Sequence, residues 1–562
     1  MFLVITEDDI NSTNEQPFMN HLEWEGLQEK YIMGDYNEIN SESLPPGSKK
    51  IEIFRNKDYK IKGKLTGDFK RLDDMNILNG KLDPKNKFIP FKHFKILDID
   101  AEYEIKCSFK NTRCTHNIIE GRSFSSDMNI SYLKRDFTKS EFREMSKKPK
   151  LSWFTEWFLN GPRNLQYGGS IRYSLCKKYI KQMELPTYPA IRFNHKLYKD
   201  FLNKENYNLK QKYYKRGSKL KGYLFVEFED NDGNDKYFTI QSVPDHIGPP
   251  WSKKISIEYK IDWWMPTIEE RQKINEIVSF LMGRQLISIG YAKYDENGML
   301  FEDCSYNPNI SDGIHLQDLC KANDIPPVDT IKDQLELTKN NIHKYNISVY
   351  LKKLIPNYFA LRDKLNLHDV LDKYWLSQAI PKESEIIILA ACLESLIKSW
   401  FKSNKTKSKG VYISKKEFDN NLKRGLNLIK IELGEIEDLN QEFKDKIFKT
   451  IENSFQMAPG QRNKNFFKEI GLNIGIVEKE AIIYRNKPVH GDILVQNTTT
   501  EIDEFAKMIR MTNAYRTLVN RAILKILDYD NNYVDYYHSS YHLTEGIRRI
   551  DDPIPPQDTL IL

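Results

Sequence analysis

The first half of the chain alternates apolar and polar residues in short runs separated by turn-forming residues. Four such runs are KIEIFRN, YKIKGKL, YEIKCSF and IRYSL. Alternation with a period of two is typical of strands that bury one face. The segment GYLFVEFEDNDGNDKYFTIQSV, which begins at Gly222, predicts a hairpin because an Asn/Asp/Gly turn joins two such runs. We therefore expect a β-rich domain over residues 1–260, with a short helix around Phe154–Leu159.

The hydrophobic period changes to that of a helix near Pro266. In PTIEERQKINEIVSFLMGRQL, apolar residues recur close to helical spacing, and Pro266 precedes the pattern. These apolar residues are Ile268, Ile274, Ile277, Val278, Leu281 and Met282. A loop-rich stretch follows around Asp295–Asp329, and helical patterns then dominate to about residue 530. Residues 261–379 are predicted to form a mostly helical connecting region.

Three helices are predicted in the C-terminal part, over about residues 381–401, 475–490 and 500–528. The apolar face of the first consists of Ile386, Leu389, Leu393, Leu396, Ile397 and Trp400. The buried stripe of the third consists of Ile502, Phe505, Ile509, Thr512, Val519, Ile523 and Ile526. We predict an all-α domain over residues 380–535 and a Pro-rich, extended tail over residues 536–562. The fold class is therefore α+β and multidomain.

Composition separates this chain from disordered and strongly charged proteins. Its 562 residues are too many for one hydrophobic core. Hydrophobic residues at 40% and aromatic residues at 12% suffice for several cores. The net charge of +6 is small beside 85 basic and 79 acidic residues, so it permits an anionic partner without requiring one.

The sequence contains no pattern typical of export, membrane insertion or metal binding. The first residues, MFLVITEDD, do not resemble a signal peptide, and the run IIILAACL is too short to span a membrane. The six cysteines are scattered without a CxxC pair, and Cys107, Cys114 and His116 fit no common zinc spacing. We expect a cytoplasmic protein without a membrane partner, a disulfide framework, a metal or a cofactor.

The stretch YRNKPVHG, from Tyr484 to Gly491, interrupts a helical pattern with an Arg, a Pro and a His. In a straight helix, side chains five residues apart point about 140° away from each other. Pro488 has no N–H group and crowds the carbonyl of Tyr484, and Gly491 favours a helix stop. The helix is predicted to kink or end here, so that Arg485 and His490 face one polar site.

Arginine and histidine without an intervening acid suit the cleavage of RNA by its own 2′-hydroxyl. The His490 imidazole titrates near neutrality and transfers protons. The Arg485 guanidinium stays charged and binds phosphate oxygens with a planar fork, which stabilises the charge that builds in the transition state. Asn486 is predicted to orient the phosphate or the imidazole. This chemistry requires no metal, although the spacing alone also occurs by chance.

The motif RNKPVHG resembles the signature of the HEPN superfamily, in which an Arg and a polar residue precede a His. The upstream segment LAACLESLIKSW resembles the first helix of the Apea-like HEPN branch, with Glu394 as the acid in a Leu-rich setting. The resemblance covers about residues 380–530. A long β-rich region in front of such a domain is similar to the ApeA type of bacterial anti-phage protein.

The resemblance implies a fold, an activity and a set of partners. The fold is a bundle of four or five helices that forms a homodimer, in which two motifs meet in a cleft. The activity is that of a metal-independent endoribonuclease that leaves 2′,3′-cyclic phosphate ends on tRNA or other loop or single-stranded RNA. Its catalytic residues are Arg485, Asn486 and His490, supported by Glu394. The setting is abortive infection, in which the β-rich half acts as a sensor or regulator of the nuclease and a phage-encoded component is the candidate trigger.

Two other interpretations of the motif remain open. Some HEPN domains bind RNA or a partner protein without cleaving RNA, and this chain is a candidate for such a module. Alternatively, Arg485 and His490 pack as structural residues at a helix kink in an unrelated bundle.

Two basic clusters are candidate RNA contacts beside Lys487, which lies within the motif. In the last predicted helix, one narrow sector opposite the buried stripe holds Lys507, Arg510, Arg521 and Lys525. In the first half, Lys215 and Arg216 belong to a Tyr- and Lys-rich stretch that resembles a stacking surface for single strands. A solvated helix face is the simpler explanation of the first cluster, whereas codon bias and a solvated helix explain the second as well as RNA binding does.

Overall fold

The computed structural model describes the chain in separate ranges. These are residues 30–35, 48–68, 92–97, 102–117, 121–139, 149–162, 223–230, 232–243, 249, 251–296, 300–310, 315–321, 326–328, 347–403, 411–453, 457–486, 501–538 and 546–556. The chain divides into two compact units. The first contains Met1–Pro326 and Thr330–Pro356, and the second contains Pro327–Asp329 and Asn357–Leu562. Antiparallel strands dominate the first unit and helices dominate the second.

The first unit is built on a large antiparallel sheet. Its strands are β1 (Lys30–Asp35), β2 (Ser48–Arg55), β3 (Ile61–Asp68), β4 (Lys92–Leu97), β5 (Glu102–Asn117), β6 (Gly121–Asp136), β7 (Trp153–Leu159), β8 (Tyr223–Glu229), β9 (Asp235–Ser242), β10 (Lys254–Lys260), β11 (Ile287–Tyr294) and β12 (Leu300–Tyr306). The strand order is β1-β2-β3-β6-β12-β11-β7-β10-β9-β8, and β5 pairs with β6 and β4. The predicted hairpin after Gly222 is confirmed as β8 and β9.

The predicted helix at Phe154–Leu159 is wrong, because these residues form strand β7. This strand pairs with β10 on one edge and with β11 on the other. Six of its seven residues are buried, so both faces of the strand are covered. A short, continuously apolar run has no period that separates a strand from a helix, and the two neighbouring strands decide the outcome.

The sheet also extends beyond residue 260, into the region predicted to be mostly helical. Strands β11 and β12 follow helix α1 (Ile268–Met282) and join the sheet between β7 and β6. The α1 helix begins with a capping box between Thr267 and Glu270 and buries five of its six predicted apolar residues. The exception is the first helical residue, Ile268, which is exposed.

The remaining described helices follow in chain order. They are α2 (Leu316–Lys321), α3 (Ser348–Leu361), α4 (Leu367–Ala379), α5 (Lys382–Ser403), α6 (Lys415–Glu435), α7 (Gln441–Glu452), α8 (Pro459–Glu469), α9 (Ile476–Tyr484) and α10 (Glu501–Ile526). Helix α5 packs against α4, α8 and α10, and α9 packs against α10. At the α5–α8 contact, the Trp400 indole donates a hydrogen bond to Glu469 at 2.9 Å. Helices α4, α5, α8, α9 and α10 thus form a bundle around α5 and α10.

The predicted long helices correspond to α5, α9 and α10. The α5 residues Ile386, Leu389, Leu393, Leu396 and Ile397 are buried, as the spacing predicts. In α10, the predicted stripe is buried from Thr512 to Ile526, but Phe505 near the first turn is exposed. The side chain of Ile502 lies outside the described residues. The apolar periodicity therefore predicts the helices correctly, and its error falls at the N-terminal end of α10.

Part of the predicted tail belongs to the packed helical unit. Strand β13 (Asn532–Val534) pairs with β14 (Ile547–Arg549), and the side chains of Ile550 and Ile554 are buried. The extended tail predicted over residues 536–562 is wrong for this part, because β-pairing and burial hold it. In the described part of the chain, no helix is both long enough and apolar enough to cross a membrane.

Candidate functional site

Arg485 lies at the C-terminal end of α9, where the predicted break in the helix occurs. Its backbone N–H still donates to the carbonyl of Ala481 at 3.2 Å, and Asn486 beside it is exposed. The next residues in the sequence include Pro488, which cannot donate a helical hydrogen bond. Helix α9 therefore presents Arg485 from its last turn and not from its middle.

Three helices converge on the Arg485 guanidinium. Its Nη1 atom lies 3.0 Å from Oε1 of Glu394 on α5, and it donates to the hydroxyl of Tyr515 on α10 at 3.2 Å. The Arg485 side chain is 13% exposed, whereas the Glu394 side chain is 51% exposed. The structure thus brings together Glu394 and Arg485, the acid and the arginine to which the resemblance assigns a common site.

The local sequence explains why these helices hold the cluster. Glu394 follows the buried Leu393 by one position, so it leaves the apolar face of α5 at its edge. Tyr515 is fully buried on α10, and its hydroxyl meets the guanidinium at the rim of the bundle. A buried tyrosine needs a polar partner for its hydroxyl, and Arg485 supplies one.

The electrostatics of the cluster keep the hydroxyl of Tyr515 neutral. Burial raises the pKa of Tyr515 to about 12, although the neighbouring Arg485 charge opposes that rise. At neutral pH the Tyr515 hydroxyl therefore accepts a hydrogen bond from Arg485 without carrying a charge. Within the described residues, both of these contacts are made by Nη1, at one edge of the planar guanidinium.

Several predicted site residues lie outside the described residues. These are His490 and Lys487 of the motif, and Lys215 and Arg216 of the Tyr- and Lys-rich stretch. Their roles stay predictions. The described half of the candidate site therefore consists of Glu394, Arg485, Asn486 and Tyr515.

The predicted basic sector of α10 divides into residues with different surroundings. Lys507 is exposed, and Arg510 is partly buried near Tyr537. Burial raises the pKa of Tyr537, and the charge of Arg510 opposes that rise. Near the other end of the helix, Lys525 forms an ion pair with Asp551 at 2.5 Å. Lys525 is therefore held by a carboxylate, whereas the contacts of Lys507 and Arg510 with an anionic partner stay predictions.

The prediction that Arg521 lies on a solvent-facing basic sector is wrong. Its side chain is fully buried and pairs with Glu478 of α9, which is also fully buried. Arg521 Nη2 donates to the carbonyls of Asn473 and Ile550 at 3.0 and 2.8 Å. A helical wheel identifies the side opposite one buried stripe, but here α9 and the residues after β14 cover that opposite side as well.

Tyr515 is the site residue that sequence reasoning missed. It shares a buried face of α10 with Met508, Met511, Leu518 and Ala522, whereas the predicted stripe runs along a neighbouring face. The available signal was a polar hydroxyl on an otherwise apolar face, four residues after Met511. That signal identifies a buried tyrosine without identifying its partner on α9.

In the described part of the chain, no group of three His, Cys, Asp or Glu side chains is arranged to hold a metal ion. The described site is instead a cationic group bracketed by a half-exposed carboxylate and a neutral hydroxyl. No family model matches the chain, and neither the curated proteins nor the solved structures contain a protein that matches it.

Proposed function

We propose that this protein is a metal-independent endoribonuclease of the HEPN type. The observation that carries the proposal is the position of Arg485, held at the end of α9 by Glu394 and Tyr515. The sequence motif requires a fixed positive charge beside a helix break, and these contacts supply it. Glu394 and Arg485 come from the two segments on which the family resemblance rests, and they lie 3.0 Å apart.

In the proposed reaction the RNA attacks its own backbone. His490 removes the proton of a 2′-hydroxyl, and the resulting oxygen forms a bond to the adjacent phosphorus. The bond from phosphorus to the 5′-oxygen breaks, and the protonated imidazole returns its proton to that leaving oxygen. The products are a 2′,3′-cyclic phosphate and a free 5′-hydroxyl. The reaction therefore requires no metal, oxidant or second substrate.

Arg485 acts on the phosphate throughout this reaction. Its charge stabilises the additional negative charge on the phosphorus oxygens in the transition state. Glu394 and Tyr515 are positioning residues, since they fix the guanidinium before RNA binds and reduce the side-chain entropy lost on binding. Asn486, which is exposed beside Arg485, orients the phosphate or the imidazole.

The wider role that we propose rests on the family resemblance. The substrate is a single-stranded or loop RNA such as tRNA, and Lys507 and Arg510 on α10 contact its backbone near the site. The chain acts in the cytoplasm in anti-phage defence by abortive infection, as a dimer of the helical unit. The strand-rich unit regulates the nuclease in response to a phage-encoded trigger.

A non-catalytic module that binds RNA or a protein is the second candidate. The observation that favours it is the low solvent exposure of Arg485. Its side chain is 13% exposed and is already paired with the carboxylate of Glu394. Such a module forms stable complexes without producing new RNA ends, and its affinity survives the substitution His490→Ala.

The deciding experiment compares wild type with Arg485→Ala and His490→Ala in EDTA. Each protein is incubated with total RNA and with tRNA, alone and after co-expression with phage proteins, and the new ends are mapped. We expect cleavage by wild type that leaves cyclic phosphates, varies with pH near neutrality, and falls at least a hundredfold in both variants.

Matched controls separate loss of chemistry from loss of structure. Arg549→Ala and His368→Ala remove an exposed arginine and a half-exposed histidine elsewhere in the helical unit. Both controls are expected to cleave RNA like wild type, and circular dichroism verifies folding of every variant. Binding without new ends in all proteins, under every trigger condition, would favour the module. Cleavage that persists in His490→Ala would exclude the proposed mechanism.

A further inference from the structure

One histidine outside the motif is held by a buried carboxylate. Asp535 directly follows strand β13, and its backbone N–H donates to the carbonyl of Gly546, just before β14, at 2.6 Å. Nδ1 of His538, three residues later, lies 2.6 Å from Oδ2 of Asp535. Nε of Arg548 on β14 donates to the same oxygen at 2.8 Å. The hairpin thus brings a histidine and an arginine to one shared carboxylate.

Asp535 anchors these two side chains. Its side chain is fully buried, and its other oxygen, Oδ1, accepts the backbone N–H of Tyr537 at 3.0 Å. Both carboxylate oxygens are therefore occupied by donors from the chain. A buried carboxylate with a cationic partner keeps its neighbours in place, because moving them away would leave a charge without compensation. The Asp535 carboxylate therefore fixes His538 and Arg548 relative to each other.

The side chains of His538 and Arg548 reach the solvent beyond this anchor, where they are 18% and 24% exposed. A carboxylate only accepts hydrogen bonds, so Nδ1 of His538 carries a proton, and the neutral ring presents Nε2 as an acceptor. Among the described residues, neither Nε2 of His538 nor the two Nη atoms of Arg548 has a hydrogen-bond partner. The cluster therefore presents an acceptor beside a cationic donor.

The turn after β13 packs against α10, near a residue for which RNA contact is proposed above. The backbone N–H of Tyr536 donates to the hydroxyl of Thr517 on α10 at 3.0 Å. Burial raises the pKa of Tyr537, the charge of Arg510 on α10 opposes that rise, and Glu480 on α9 adds to it. Tyr537 is therefore close to Arg510, and an RNA strand bound at Arg510 lies close to this turn.

An acceptor beside a cationic donor matches a hydroxyl beside a phosphate. Each ribose of an RNA strand carries a 2′-hydroxyl next to its 3′-phosphate, and this hydroxyl is what distinguishes RNA from DNA. Nε2 of His538 is suited to accept a hydrogen bond from the 2′-hydroxyl. The planar guanidinium of Arg548 is suited to donate to the phosphate oxygens. A DNA strand satisfies the arginine alone.

We infer that Asp535, His538 and Arg548 form a recognition site for one ribonucleotide of a bound RNA strand. His538 binds the 2′-hydroxyl and Arg548 binds the phosphate, whereas proton transfer in the proposed reaction belongs to His490. The inference deepens the proposed function and rests on it, since RNA is the ligand in both. It adds a contact that is remote in sequence from the motif, and it is measured by binding without cleavage.

The test measures RNA binding by the full-length chain with His490→Ala, which we call the parent protein. Fluorescence anisotropy compares a labelled single-stranded RNA with DNA of the same sequence and with its 2′-O-methyl form. We expect the parent to bind the RNA at least about fivefold more tightly than the other two strands. Adding His538→Ala is expected to remove most of this preference. Equal affinity of the parent for all three strands, or a preference that persists in His538→Ala, would overturn the inference.

Arg548→Ala in the parent tests the phosphate contact separately. We expect weaker binding of all three strands, and a slope of log affinity against log salt that is smaller by about 0.7. An unchanged salt slope would contradict the phosphate contact. Arg549→Ala is the matched control, since the next residue of β14 is exposed and belongs to the opposite face of the strand. His368→Ala is the second control, because His368 pairs with the exposed Asp372 on α4. Both should bind like the parent.

The outcomes separate this inference from the nuclease proposal. His538→Ala and Arg548→Ala each leave Asp535 with its other partner, and circular dichroism verifies their folding. The comparison of the three strands on the parent needs no substitution in the cluster. Cleavage by wild type together with an RNA preference that does not depend on His538 would sink the inference and leave the reaction standing. A preference that follows His538 without cleavage by any protein would support the inference and sink the reaction.

Discussion

Among the arginine–glutamate pairs that join helices α5, α9 and α10, two have contrasting surroundings. Arg521 and Glu478 are both fully buried, and two backbone carbonyls accept hydrogen bonds from Nη2 of the guanidinium. Arg485 pairs with Glu394 at the rim, where the carboxylate is half-exposed. A charge pair that is closed to solvent has all its partners in the chain and holds the helices together. A pair open on one side retains hydrogen-bonding capacity for a ligand.

The largest effect on folding is expected from the buried pair. Arg521→Ala leaves the Glu478 carboxylate buried without its charged partner, so we expect the free energy of unfolding to fall by about 3–5 kcal/mol. Urea unfolding followed by the helical circular dichroism signal measures this change. Lys525→Ala, one turn further along α10, removes a pair with the exposed Asp551 and is expected to cost less than about 1 kcal/mol. Equal losses in both variants would contradict the contrast between buried and exposed pairs.

A third pair, in the strand-rich unit, extends the comparison to pH. Glu156 on β7 lies 3.3 Å from Arg271 on α1, and burial raises the pKa of its carboxyl from 4.5 to about 7 despite that neighbour. The folded state therefore holds a proton that the unfolded state releases above pH 4.5. The stabilisation is complete below that pH and is lost as the pH rises to about 7, by up to roughly 3 kcal/mol.

Hydrogen exchange of the β7 amides at several pH values measures this effect locally. In wild type, their protection is expected to decrease between pH 4.5 and about 7, after correction for the intrinsic exchange rate. Glu156→Gln keeps the shape of the side chain and removes its titration, so its protection should not vary with pH in that range. A slope that persists in Glu156→Gln would assign the effect to another group.

The smallest effect on folding is expected from the rim pair. Glu394→Gln removes a charge that is half in water, so the free energy of unfolding should change by less than about 1 kcal/mol. RNA cleavage should nevertheless fall roughly ten- to a hundredfold, mostly in kcat, because the guanidinium loses its fixed position. Steady-state kinetics with the control Glu432→Gln, an exposed acid on α6, measure the difference. A large loss of stability with unchanged kcat would make Glu394 a structural residue.

The sequence predicts individual elements better than it predicts what covers them. The spacing from Ile386 to Ile397 identified helix α5 and its buried face, and Pro266 marked the approach to the capped start of α1. The burial of Arg521, on the side of α10 opposite the predicted stripe, was not predictable from the helix alone. The residues near Asn473 and Ile550 that cover Arg521 are far from it in the sequence. Strand β7 was missed for a related reason, since its apolar run is explained by strands on both of its edges.

The candidate site shows the same division. The break after Tyr484 follows from Pro488 and local geometry alone, and the structure ends α9 at that residue. The approach of Glu394 to Arg485 had no local signal and came from the resemblance to a family. Tyr515 lacked both kinds of signal, because a tyrosine on a buried face does not reveal which helix end its hydroxyl will meet.

The buried Arg521–Glu478 pair also sets an order of events during synthesis. Its Glu478 carboxylate accepts a hydrogen bond from the backbone of Ile554, which is translated 76 residues later. At roughly 5–20 residues per second, the ribosome needs roughly 4–15 seconds to add those residues. During that interval the start of α9 lacks part of its final support, and the helix that carries Arg485 is completed only afterwards. The start of α9 therefore gains this hydrogen bond only after Ile554 has been synthesised.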